Sequence, residues 1–164
     1  MSDRLSVYLH DHLAGSNLAI ELLETLEREY QGYETGAIAS ALLLEVRQDR
    51  VTLQRIVENV GSSSLDLKEA VAWLSEKALR AKLRHNDPTG IGTFEAFEAL
   101  LLGVSGKLAL WQALSRISLI DARVAGYDYG ELATRAKEQI ARIEDYRLRL
   151  ASTALARAEL CFAP

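Results

Sequence analysis

The stretch GAIASALLLEVRQDRVTLQRIVENV, Gly36 to Val60, decides how this chain is read. At about 100° per residue, Ile38, Leu42, Val46, Leu53, Ile56, Val57 and Val60 gather on one face, which predicts a single long amphipathic helix. Two acids break the pattern. Asp49 falls inside the apolar stripe and Glu45 at its edge. A carboxylate enters a helical core only with partners that compensate its lost hydration, either a metal ion or hydrogen-bond donors on neighbouring helices.

Working outward, the same period recurs. Leu5, Leu9, Leu13, Ile20, Leu23 and Leu26 predict helix one over about Arg4 to Tyr30, with His12 and Ser16 intruding on its stripe. The turn Gln31 to Gly36 makes helices one and two antiparallel neighbours, with Thr35 as the expected cap. Pairing them about that turn puts His12 about 9 Å along the axis from Asp49. A shorter crossover helix is expected from about Leu65 to Leu83, and its basic end, Lys77 to His85, reads as a solvated helix terminus. After the breaker at Pro88, helix three is expected over about Phe94 to Ile120, capped by Thr93 and apolar nearly all round. Gly103 and Gly106 in its interior predict a close helix–helix approach. Helix four is expected from about Glu131 to Leu160, with Gln139 central in its stripe.

The predicted fold is all-α: a single domain over residues 1–164, a four-helix bundle of two antiparallel pairs joined by a crossover, the ferritin-like type. The segments Tyr8-Leu-His-Asp-His-Leu-Ala-Gly-Ser16, Ala72-Trp-Leu-Ser-Glu-Lys77 and Gly103-Val-Ser-Gly-Lys-Leu-Ala-Leu-Trp111 resemble a group of small, mostly uncharacterised bacterial proteins with that fold. The resemblance spans essentially the whole chain. It implies a fold and carries no activity with it.

A net charge of -4 argues against a nucleic-acid binder. Cys161 is the only cysteine, so no internal disulfide is expected. The N-terminal residues do not form a signal peptide, and no run is expected to reach membrane-spanning length, which together suit the cytoplasm.

The chemistry turns on Glu45 and Asp49. A di-iron carboxylate centre needs inward glutamates on two helices and a Glu-x-x-His pair on each of the others. Here Glu45 is followed three residues later by Gln48, and Glu138 by Ala141. The residue types allow at most a reduced site for one ion, with Glu45, Asp49, His12 and Glu98 as its candidate ligands. The favoured alternative has the two acids accept hydrogen bonds from Lys107, Arg142, Tyr146 or the Trp111 indole, with His12 bonding Ser16 or a neighbour. No cofactor is favoured, and neither Ser16 nor Cys161 has the surroundings of a nucleophile. The expectation is a non-catalytic binding or structural module. A metal-binding protein or oxidoreductase is the alternative. The apolar outer face of helix three suggests a homodimer or a protein partner.

Overall fold

The computed structural model describes residues 3–61 and 87–156. They form four long helices: α1 (Arg4–Glu29), α2 (Glu34–Val60), α3 (Ile91–Ile117) and α4 (Tyr129–Leu155), with one 3-10 turn, Ala122–Val124, between the last two. Among the described residues there is no strand. The expected crossover helix, its basic end and Cys161 lie outside the described residues.

Each helix starts a little earlier than its apolar stripe suggests, apart from α1. Thr35 is not a cap: α2 starts at Glu34, after Tyr33, and the Thr35 side chain is buried instead. Thr93 is likewise inside α3, which starts after Gly90, and its hydroxyl donates to the Asp87 carbonyl at 2.9 Å. Helix α3 ends at Ile117 and α4 at Leu155, short of the expected ends. The α4 N-terminus is capped by the Asp128 carboxylate, which accepts from the Glu131 amide at 2.9 Å. At the α1–α2 turn Gly36 is required for space: a Cβ there would stand 2.2 Å from the Tyr30 carbonyl oxygen.

Cross-helix bonds fix the arrangement. Arg50 donates to Asn17 at 2.6 Å, Arg47 to Glu24 at 2.6 Å and Ser40 to Glu27 at 2.6 Å, so α1 and α2 run antiparallel. Thr35 donates to the Pro88 carbonyl at 2.9 Å and lies 2.6 Å from the Tyr146 hydroxyl, which gathers the starts of α2 and α3 and the end of α4 at one end of the bundle. At the other end Ser6 donates to the Gly61 carbonyl at 3.2 Å and Arg123 pairs with Asp3. Helices α2 and α3 are therefore parallel, and Gly61 and Asp87 stand at opposite ends. The chain runs up, down, down, up.

The core is aromatic and aliphatic, with Trp111, Phe97, Leu9, Leu23, Leu26, Leu42, Ile56, Leu110, Leu114 and Ile143 fully buried. The α1–α2 and α3–α4 hairpins are the most intimately packed pairs. By length and composition α3 is apolar enough to cross a membrane, contrary to the expectation that no run reaches that length. The reason is visible in the bundle. Phe94, Phe97, Val104 and Trp111 are buried, and so are Ala96, Ala99, Leu100, Leu110 and Leu114, so more than one side of this helix is covered.

Candidate functional site

The two acids of α2 meet α4 through helical periodicity. Glu45 and Asp49 are one turn apart, and Arg135, Gln139 and Arg142 recur at one-turn intervals on α4, so an antiparallel pair brings the two rows face to face. Asp49 is 1% exposed. Its Oδ1 accepts from Arg135 Nε at 2.8 Å and its Oδ2 from Lys107 Nζ at 2.5 Å. Lys107 also donates to Gln139 Oε1, and the Gln139 amide nitrogen bridges Glu45 Oε2 at 3.0 Å and Asp49 Oδ2 at 3.3 Å. Arg142 closes the row on Glu45 Oε2 at 2.5 Å. Three helices thus share one connected layer of five charges and an amide.

The layer is strongly polarised. Burial holds the Lys107 ammonium below the ordinary lysine range, against the opposing pull of the Asp49 charge. Burial alone would raise the Glu45 carboxyl, but hydrogen bonds from Arg142 and Gln139, with the charges of Arg142 and Lys107, bring it below the usual carboxylate range. Salt bridges of this kind gain from mutual attraction only because each desolvated charge finds a partner.

Beside this layer a cavity of about 260 Å³ opens between α1, α2 and α3. Asp49 and Lys107 form its polar wall. Leu22, Val46, Leu53, Leu100 and Val104 supply an apolar one. Gly15, Gly103 and Gly106 line it too, and a Cβ at any of the three would meet nothing within 4 Å. That corrects the expectation of a close helix approach at Gly103 and Gly106. The small residues leave room between α1 and α3 instead of bringing backbones together.

Trp111 also lines the cavity; its side chain is fully buried, and its indole N–H has no hydrogen-bond partner. It does not donate to either acid, as the sequence had suggested, and neither does Tyr146, whose hydroxyl is taken by Thr35. His12 lines the cavity with its ring edge-on to Tyr8 at 4.7 Å between centroids, and burial lowers its pKa. Ser16 donates to the Leu13 carbonyl at 2.6 Å and does not bond His12.

Of the four candidate ligands, Glu45 and Asp49 are brought together and His12 shares a cavity with Asp49. Glu98 joins neither: it lies about 14 Å along α3 from Lys107, near enough to Arg147 for its charge to act there. Among the described residues no group of three or more His, Cys, Asp or Glu side chains is placed to hold a metal ion. Lys107 and Arg142, both anticipated, are partners of the acids. Arg135 was missed, although its place one turn before Gln139 on the α4 stripe was the available signal. In comparisons with known proteins, no family model, no curated protein and no solved structure matches this chain.

Proposed function

We propose that this chain is a ferritin-like bundle acting as a non-catalytic binding module, in which side-chain cations stand where a carboxylate-bound metal would. One observation carries the reading: the Lys107 ammonium is hydrogen-bonded to the buried Asp49 carboxylate and to Gln139. An ammonium in that position supplies the positive charge that a metal would otherwise give to inward acids. The up, down, down, up order, with a connection between opposite ends, supports the ferritin-like assignment. The room left by Gly15, Gly103 and Gly106 beside the charged layer supports binding.

The test is metal content. Protein purified without chelator, then offered iron, manganese or zinc, is expected to retain far less than one ion per chain. Stoichiometric metal in the wild type that disappears in Glu45→Ala/Asp49→Ala would establish the alternative, a reduced carboxylate site. A homodimer or partner contact through the outer face of α3 belongs to the same proposal, supported by Leu102, which is 43% exposed on that helix.

A further inference from the structure

The charged layer carries more positive than negative charge where it meets the cavity. Asp49 is matched by both Lys107 and Arg135, and Glu45 by Arg142, so three cations face two carboxylates. Lys107 is the cation of the three that lines the cavity. Its ammonium has three N–H donors, and Asp49 and Gln139 occupy two of them. The Trp111 indole N–H is a second donor on the cavity wall without a partner. A buried donor left unmatched costs about 1–3 kcal/mol, so such a group marks a place where an acceptor belongs. Asp49, by contrast, already accepts from Lys107, Arg135 and Gln139. The cavity therefore offers donors and one surplus positive charge at its polar wall. Elsewhere its walls are aliphatic.

We propose that this cavity binds a small monocarboxylate with an apolar body, its carboxylate received by Lys107 and the Trp111 indole and its body lying against Leu22, Val46, Leu100 and Val104 beside the three glycines. This rests on the binding-module reading and names its ligand class. Size fits the class: a dry cavity of roughly 150 Å³ holds benzene, so one of about 260 Å³ takes a fused bicyclic ring or a medium-length acyl chain. The charged head also gives orientation. An apolar body alone could enter either way round, whereas a carboxylate is drawn to the one wall with a spare cation.

The experiment is titration calorimetry with 2-naphthoate and its uncharged match, 2-naphthamide. The wild type is expected to bind one naphthoate per chain, with the amide about tenfold weaker or worse, the value of one charge-assisted hydrogen bond. Gly103→Leu puts a side chain into space where a Cβ meets nothing, and is expected to abolish binding of both probes while the helical circular dichroism is unchanged. Lys107→Met is expected to erase the preference for the anion, and Trp111→Phe to weaken naphthoate with the bundle intact. Equal binding of acid and amide by the wild type, or a preference that survives Lys107→Met, would overturn the anion assignment while leaving a binding module in place. Naphthoate that binds Gly103→Leu as well as wild type, or that does not bind wild type at all, would overturn the site. The metal measurement decides the parent reading independently of these titrations.

Discussion

Lys107 on α3 and Asp49 on α2 form a 2.5 Å ion pair in which the carboxylate side chain is 2% exposed and the lysine 15%. Neither charge can be removed singly without stranding the other. Asp49→Ala leaves Lys107 and Arg135 facing each other without their shared acceptor, and is expected to cost about 3–5 kcal/mol in denaturant unfolding. Asp49→Leu with Lys107→Leu is expected to recover most of that loss, because a matched apolar pair leaves no desolvated charge. A single Asp49→Ala that unfolds within about 1 kcal/mol of wild type would show that the pair is not a buried one.

The glycines that line the cavity predict the opposite sign. Gly103→Ala and Gly106→Ala are each expected to raise stability by up to about 1 kcal/mol, since a helix interior favours alanine and the added methyl meets nothing within 4 Å. Gly36→Ala is expected to destabilise by more than that, because its methyl would collide with the Tyr30 carbonyl. Thermal melts of the three variants check both signs together.

His12 supplies a pH dependence. Its folded pKa lies below the ordinary histidine value through burial, so the unfolded chain binds the proton more readily. Stability is then expected to fall as the medium is acidified through the histidine range, and to recover above it. Urea midpoints measured between about pH 5 and pH 7.5 should show this slope, and His12→Leu should flatten it.

Glu45 acts at lower pH. Its depressed pKa contributes stability that is present above the ordinary glutamate range and lost as pH falls through the folded value. Glu45→Gln is expected to be less stable than wild type near neutrality and to lose less on acidification. Identical acid limbs for the two proteins would contradict the pairing with Arg142.

A sedimentation series checks the outer face of α3. A dimer is expected at high concentration, and Leu102→Lys is expected to weaken it, because a charge would then have to be buried in the contact.

The four-helix layout was legible because its signal is redundant: each stripe repeats over many turns, and the α1–α2 pairing follows from a short turn. The partners of the two acids were legible only in part. Lys107 and Arg142 carry charge and stood out, whereas Arg135 falls on the α4 stripe at a position where an arginine reads equally well as a solvated flank. The glycines of α3 misled for a physical reason. A helical glycine serves contact or vacancy alike, and which one depends on the distance of a helix far away in sequence. The caps shifted because Thr35 and Thr93 were spent on tertiary bonds, to Pro88 and Tyr146 and to Asp87, leaving α2 and α3 to start without side-chain caps.

The bonds at the two ends of the bundle have a dynamic consequence. Thr35 ties together the chain at Pro88 and Tyr146 at one end, and Arg123 fastens Asp3 at the other, so both hairpins are pinned where their helices terminate. Between those pins α1 and α3 are held apart by glycines. Breathing of the bundle is then concentrated at mid-height, as in a beam clamped at both ends, and amide protons near Gly15 and Gly103 should exchange with solvent before those near Leu26 or Phe97. A molecule of the right length could pass between the two helices during such an excursion without either end letting go.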